Sequence, residues 1–316
     1  MIKRSETYTI AFYNVENLFD IENDPLTNDD DFLPYSAKRW TPKRYENKLR
    51  KLGSVISKIG NKDADKAPAI VGLAEVENKK VISDLLRDKN LIDEAYSYIH
   101  YDSSDERGID VALIYKSDLF TVTNSETFSV YLQTKTGERD YTRDILLVQG
   151  LLHKEPISII VNHWSSRREG EKETEFKRVA ASNKVNTIIR NIRNANKEAK
   201  IIVMGDFNDN PNNNSILSLE NESDLFNPFK TVWSENNGSL NYDFEWNLFD
   251  QILFSTNFFD TINSNLSFAK AEIFNHKFLT QYHGKYEGQP FRTYVGRKYK
   301  GGYSDHFPVY IELKAI

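Results

Sequence analysis

The sequence predicts an α+β chain in which two sheets pack face to face and helices lie outside them. Three observations carry the prediction. Apolar runs of strand length recur along the chain, some continuous like buried strands and some alternating. Two longer segments keep helical periodicity instead. No repeat, low-complexity tract or break in composition divides the 316 residues, so residues 1–316 are expected to form one domain. Interspersed elements of both periods suit sheets layered against helices.

Taken in order, residues 7–13 read as a strand ending at Asn14. Residues 20–42 are polar and acidic, carry Pro25, Pro34 and Pro42, and read as a long loop. Thr41-Pro42 is a helix start, a hydroxyl N-cap ahead of a first-turn proline. Tyr45, Leu49, Leu52, Val55, Ile56 and Ile59 follow at helical spacing. Strand-like runs come next at 69–74, 109–115, 145–151 and 157–161. Residues 171–197 read as a long amphipathic helix whose buried stripe is Phe176, Val179, Ala180, Val185, Ile188, Ile189 and Ile192. Runs at 201–204, 249–254 and 309–313 complete the strands.

Composition removes several classes of function. With 41 basic and 46 acidic residues the net charge is −5. A bulk polyanion binder held by phosphate neutralisation is excluded, while a metal that supplies positive charge locally keeps polyanion chemistry open. No cysteine is present, which excludes disulfide scaffolds, thiolate metal sites and cysteine nucleophiles. No apolar run approaches the ~18 residues that span a bilayer, and residues 1–9 hold no apolar h-region. A cytoplasmic protein without integral membrane association is expected, or a secreted one if a leader has been trimmed. A monomer is expected.

Polar, metal-competent residues recur at strand ends. Asn14 and Glu16 follow the first strand, Glu75 follows 70–74, His163 follows 157–161, and Asp206 and Asn208 follow 201–204. Asp305 and His306 immediately precede the last strand. A layered fold that stacks strand ends at one edge brings these residues together. Carboxylates, amides and imidazoles without thiolates suit a hard cation, Mg2+ or Mn2+. Phosphodiester hydrolysis asks for this chemistry. A metal neutralises charge and acidifies bound water. Donors such as Asn14, Asn208, His163 and His306 stabilise phosphoryl oxygens as charge develops. A histidine held by a carboxylate has a fixed tautomer and a raised pKa. Asp206 and His306 both qualify to take the water's proton.

Four segments also resemble a known family. Asn14-Val15-Glu16-Asn17, Glu75 within Gly72-Leu73-Ala74-Glu75, Gly205-Asp206-Phe207-Asn208, and Ser304-Asp305-His306-Phe307-Pro308 match in type and order the motifs of the endonuclease/exonuclease/phosphatase superfamily. With His163 and Asp250 the resemblance runs from residue 12 to residue 310. It implies a deoxyribonuclease I-like fold, a four-layer α/β/β/α sandwich of two packed mixed sheets flanked by helices. By the same resemblance, Asn14 and Glu75 hold the metal, with Glu16 nearby and Asp305 assisting. Asp206 and Asn208 orient or activate the water and grip the phosphate. Asp250 orients His306, which contacts the scissile phosphate or acts as base. His163 stabilises the phosphate oxygens or helps the leaving group.

Each residue has a plainer reading as well. Asp206 and Asn208 fit a simple turn, Glu75 a solvated strand end, Asn14 and Glu16 a loop cap, and His163 a core imidazole bonded to backbone. Ser304-Asp305-His306 is no serine-hydrolase triad, because three sequential residues cannot take that geometry and no G-x-S-x-G elbow occurs. Asp20, Glu22 and Asp24 alternate, but Pro25 stands where an EF-hand loop needs glycine. Arg107, Arg143, Arg167 and Arg168, with Trp164, are expected to clamp substrate or to sit exposed. Residues 276–303 hold six Lys/Arg against one acid, Glu287, together with seven Phe/Tyr, and run straight into Asp305-His306. Such a loop holds a backbone phosphate and stacks a base, with Arg292 and Tyr303 as contacts, or it uses its aromatics for packing.

The resulting expectation is a Mg2+- or Mn2+-dependent hydrolase of phosphodiesters, a nuclease acting on DNA or RNA. The alternative is a phosphatase, or a phospholipase C-type, sphingomyelinase-like hydrolase of a small or lipid phosphate ester. Only Asp250-Gln251-Ile252 matches the longer 5-phosphatase signature, and membrane-facing apolar loops are limited to Leu248-Phe249 and Phe258-Phe259. A remote alternative is a catalytically dead binding module. Against it, Asn14, Glu75, Asp206, Asn208, Asp305 and His306 are all present.

Overall fold

Strand parity sorts the hydrophobic residues into layers. The computed structural model describes residues 6–60, 66–134 and 136–316. Twelve strands build two six-stranded sheets. They are β1 (Thr7–Leu18), β2 (Ile70–Val76), β3 (Tyr96–His100), β4 (Asp110–Lys116), β5 (Phe120–Phe128), β6 (Ile145–Leu152) and β7 (Glu155–His163). The remainder are β8 (Lys200–Asp206), β9 (Leu225–Phe226), β10 (Asp250–Ser255), β11 (Leu266–Ile273) and β12 (Val309–Ala315). The first sheet runs β11-β12-β1-β2-β4-β3 and the second β9-β10-β8-β7-β6-β5. β1 is parallel to β2 and antiparallel to β12, and β8 is parallel to β7 and antiparallel to β10, so both sheets are mixed.

Alternate residues of the second sheet face opposite layers. Leu146, Val148, Ile159, Val161, Ile202, Met204, Ile252 and Phe254 share one core with the strands of the first sheet. Their neighbours Ile145, Leu147, Ile160, Ile201, Val203 and Leu253 share another with α3 (Glu171–Ala195) and α4 (Asn214–Ser223). A one-residue slip would exchange the two sets. α1 (Pro42–Ile56) and α2 (Lys79–Leu86) pack against each other and join the core of the first sheet. The result is the expected α/β/β/α sandwich. Among the described residues no helix is long and apolar enough to cross a membrane. The reading of the N-terminal segment lies outside the described residues for positions 1–5.

Several expectations are corrected. β1 does not end at Asn14 but runs on to Leu18. Pro42 opens α1 as expected, yet the Thr41 side chain makes no capping bond, and buried Ile59 lies past the helix end. On α3, Phe176 is exposed while Thr174 and Arg178 are buried. The first half of that helix faces a polar element: Arg178 pairs Nε with Asp209 Oδ1 at 2.7 Å and donates to Thr174 Oγ1 at 2.7 Å. The strands β3, β5, β9 and β11 and the helices α2 and α4 are additions that the apolar runs do not reveal. β5 is an edge strand whose run from Thr123 to Thr127 is wholly polar, so its few apolar residues, Phe120, Val122 and Phe128, form no continuous run.

Candidate active site

Register lines up the first row of the site. His163 closes β7, Asp206 closes β8 and Asp250 opens β10, and pairing sets His163 against Asp206 and Asp206 against Asp250. Val161, Met204 and Ile252, each two residues away, line the core between the sheets. By parity the three polar side chains face the first sheet too. After Asp206 the chain turns sharply. Asn208 takes left-handed backbone (φ 50°), which asparagine tolerates, and its N–H donates to Asp206 Oδ1 at 2.9 Å.

The first sheet supplies its side chains through bulges. Between paired positions, residues 15–17 of β1 face the single residue Glu75 of β2, and Glu75 is also the extra residue of β2 against β4. Glu16 and Asn17 (both φ 52°) and Glu75 (φ 64°) are left-handed. For glutamate this costs on the order of 1–3 kcal/mol, which such sites hold by surrounding contacts. Bulges beside active sites re-aim side chains, and here Glu75 Oε2 accepts the Asn17 N–H at 2.8 Å while Oε1 stands 3.8 Å from His163 Nε2. Asn14 joins the two sheets: its Nδ2 donates to Asp206 Oδ2 at 2.9 Å and its Oδ1 accepts the Glu16 N–H at 3.0 Å. Ser304 anchors the last segment by donating to the Asn14 carbonyl oxygen at 2.7 Å.

Asp206 is the hub. Its Oδ2 lies 3.8 Å from His163 Nε2 and 3.9 Å from His306 Nε2. His306 Nδ1 is 2.6 Å from Asp250 Oδ2, and its Nε2 is 4.0 Å from Asp305 Oδ1. Burial opposes a charge on His306, but Asp250, Asp206 and Asp305 outweigh it and hold the imidazole well above its ordinary pKa. His163 faces the opposite surroundings. Burial first, then Arg143 and Arg107, His306 and Arg168 hold it well below the ordinary value. Arg143 donates from Nη2 towards His163 Nε2 at 3.0 Å and from Nη1 to Asp105 Oδ2 at 3.1 Å. Burial raises Asp206 to about 7, with Asp250 adding to the rise and His306, Asn14 and Asn208 opposing it.

Glu75, His163, Asp206, Asp250, His306 and Asp305 therefore meet at one edge, with Asn14 and Asn208 bracing Asp206. Arg107 joins them by donating to Asn17 Oδ1 at 2.5 Å, and Arg168 is exposed close to them. Other predicted residues are placed differently. Glu16 is committed to the 276–303 segment: it accepts the Thr293 N–H at 2.6 Å and the Tyr294 N–H at 3.3 Å, with Lys48 Nζ 3.9 Å away. Burial followed by the Asp305 charge raises it to about 7. It clamps the 276–303 segment, a role invisible without knowing what packs 277 residues downstream. Trp164 is buried edge-on against Phe207, with its indole N–H on Asn162 Oδ1 at 3.1 Å, so its ring is not offered to a substrate. Arg167 is fully engaged with the Asn208 carbonyl, Asp209, Asn213 and Glu171 and lies over the Phe249 ring, which makes it a strut. Tyr303 packs against Phe278 and Phe291 with Lys51 Nζ 4.2 Å above its ring. Arg292 lies 3.4 Å from Asp305 Oδ2. Sequence reading missed Lys48 and Asp105, for which neither strand ends nor motifs give a signal.

The donor set fits a divalent cation. Glu75, Asp206, Asp250 and Asp305 bring four carboxyl groups to one edge, and burial raises Asp206 to about 7. A bound cation reverses that logic by favouring ionised carboxylates. Asp206, Asp250 and His306 also lie within 4.8 Å of one another, but the His306–Asp250 hydrogen bond closes that trio around a proton.

Known proteins agree with this architecture. The family model described as Endonuclease/Exonuclease/phosphatase family matches residues 9–315. No curated protein matches. Among solved structures, an endonuclease/exonuclease/phosphatase family protein from Bacteroides thetaiotaomicron is similar at TM-score 0.62 and 17% identity, covering 99% of both chains. A mannosyl-6-phosphatase of the same organism is similar at TM-score 0.59 and 18% identity, covering 97% of this chain and 99% of that one. D. rerio TDP2 complexed with a single-strand DNA product is similar at TM-score 0.56 and 13% identity, covering 97% and 98%. At these identities the structures speak to the fold, while the family model spans almost the entire chain. The chain belongs to the endonuclease/exonuclease/phosphatase family, hydrolases of phosphoesters that generally depend on a divalent metal.

Proposed function

We propose that the protein is a Mg2+- or Mn2+-dependent phosphodiesterase that cleaves nucleic acid, with Asp206 as the base. The observation that carries the reaction is the pairing of one oxygen of Asp206 with two differently charged imidazoles, 3.8 and 3.9 Å away. Glu75, with Asp305 and Asn14 beside it, would hold the ion. When bound, the ion neutralises phosphoryl charge and lowers the pKa of water. His306, kept protonated by Asp250, serves as a fixed cation for the phosphate and is a poor proton acceptor. Asp206, which burial raises and a nearby cation would lower again, would be the ionised carboxylate that takes the water's proton. His163 is held neutral by burial and by Arg143 and Arg107, and its Nε2 accepts from Arg143, which fixes that cation beside Asp206 for the phosphate.

Nucleic acid is favoured by Arg168, exposed near His163, by the exposed cations Arg297 and Lys298 of the segment that runs into Asp305-His306, and by the exposed rings of Tyr282 and Tyr286. A second reading, hydrolysis of a small phosphate ester, is favoured by the other five aromatics of residues 276–303, which are buried or half-buried and leave little stacking surface. A magnesium- and manganese-supplemented assay across plasmid DNA, RNA, sphingomyelin, inositol phosphates and mannose 6-phosphate, with EDTA as control, separates the two. Cleavage of DNA or RNA with a KM that rises in Arg297→Glu supports the first reading. Turnover of a monoester alone replaces it with the second. Hydrolysis that survives EDTA defeats the metal-dependent mechanism.

A further inference from the structure

A second group of metal-competent residues lies outside this site. His100 ends β3, Asp110 opens β4, and Asp102 stands in the loop between them. The His100 side chain is fully buried, with Nε2 3.4 Å from Asp110 Oδ2 and Nδ1 3.8 Å from Asp102 Oδ1. Neither ring nitrogen has a hydrogen-bond partner. Buried polar atoms are satisfied in the great majority of instances, so an imidazole lacking both bonds asks for an explanation. Beside it opens a cavity of about 740 Å³ to which Asp24, Glu77, Asp102, Asp105, Glu106 and Asp110 contribute, and no Lys or Arg lines it. The surroundings thus favour a cation. We propose that His100, Asp102 and Asp110 bind a second divalent cation, of the transition-metal class.

The chemistry of the donors sets the class. One imidazole and two carboxylates suit Zn2+ or Mn2+ better than Mg2+, which prefers oxygen alone. Ligands at roughly 2.0–2.2 Å from one zinc ion lie at most about 4.4 Å apart. One donor atom from each of the three residues already lies within 4.8 Å of the others; Asp110 faces Nε2 and Asp102 faces Nδ1, so one ion takes a single ring nitrogen and exposed Asp102 swings round to join Asp110 there. Asp110 Oδ1 also accepts the Ser103 N–H at 3.1 Å, tying the loop to the site. That loop delivers Asp105 to Arg143 and Arg107 to Asn17. An ion at His100 therefore fixes the arginine-rich flank of the active site from behind. The proposal stands on these residues alone and does not depend on the substrate reading.

Equilibrium dialysis of the intact protein against Co2+, with metal analysis and visible absorption, tests it. The expected result is two bound ions in the parent protein, with Glu75→Gln removing one and Asp102→Asn or His100→Gln removing the other. Asp102 is exposed, so its variant folds even if replacement of the buried histidine does not. A single ion that disappears with Glu75→Gln overturns the proposal. So does a second ion that survives both Asp102→Asn and His100→Gln. In either event the Glu75 site stands or falls independently, because its ion is counted separately.

Discussion

His163 and His306 are both more than nine-tenths buried, and both stand just under 4 Å from the same oxygen of Asp206. Their protonation nevertheless diverges, His306 upward and His163 downward. Burial disfavours the charged form of each, so burial does not distinguish them. The neighbours do. His306 sits on the flank built by Asp250 and Asp305, and His163 on the flank built by Arg107, Arg143 and Arg168. Environments that drive paired groups apart mark acid and base roles. Asp206 between them is the group left near neutrality.

The sharpest way to break this comparison is to remove the charged member. His306→Ala should lower kcat by roughly 10²–10⁴-fold, the scale of a lost acid–base or charge-stabilising group. Asp250→Asn keeps the imidazole but removes its main source of raised pKa. If protonated His306 is the active form, activity falls as pH rises through its pKa. The variant should then lose activity at lower pH than the parent. Rate–pH profiles of the two proteins decide it, and superimposable alkaline limbs would dissociate the pair from function.

The carboxylate flank depends on a second buried contact. Lys48 Nζ donates to Thr293 Oγ1 and to the Tyr303 carbonyl, both at 2.7 Å, beside Glu16. Burial lowers this lysine to about 8 despite the attraction of Glu16 and Asp305. Lys48→Met leaves Glu16 buried without its cation and should cost about 3–5 kcal/mol, read as a lower urea midpoint. A midpoint equal to that of the parent would show that the clamp is not what holds residues 293–303.

The arginine flank has its own pH signature. His163 has a folded pKa below its unfolded value of about 6.5, so the unfolded chain binds more protons as the solution is acidified. The stability this adds is present above about pH 6.5 and is lost as pH falls towards the folded pKa. His163→Gln should therefore flatten the fall in unfolding free energy between pH 7.5 and pH 5. For His306 the sign reverses: its contribution is complete below about 6.5 and is lost as pH climbs through its raised pKa. Urea titrations at several pH values, compared between parent and each variant, test both signs. Equal slopes in parent and His163→Gln would remove the low-pKa assignment.

Much of this edge is legible in the sequence. Strand-end position identifies Glu75, His163, Asp206, Asp305 and His306, because an apolar run fixes where a strand stops and hence where its last side chain emerges. The runs do not disclose bulges: β1 continues past Asn14, and the extra residues carry Glu16 to the backbone of Thr293. Nor do they disclose partners remote in sequence, such as Lys48 for Glu16 or Asp105 for Arg143. Basic and aromatic residues in 276–303 suggest a stacking surface, yet Tyr294 is buried and Tyr303 packs on its neighbours. Composition reports what a segment contains, and only packing decides which way each ring faces.

Trp164 gives the smallest and most discriminating of these tests. It follows His163 directly, and adjacency alone makes it a candidate for stacking a base. Parity turns it the other way: His163 faces the first sheet, and Trp164 packs with Phe207 and Ile160 in the core under α3. Trp164→Phe keeps most of the apolar ring and removes only the N–H that satisfies Asn162 Oδ1. An acceptor left unsatisfied in the core costs about 1–3 kcal/mol, so the variant should unfold at lower urea while KM stays at the parent value. A raised KM at unchanged stability would instead put the indole in contact with substrate, and the separation between the two faces of β7 would fail at its last residue.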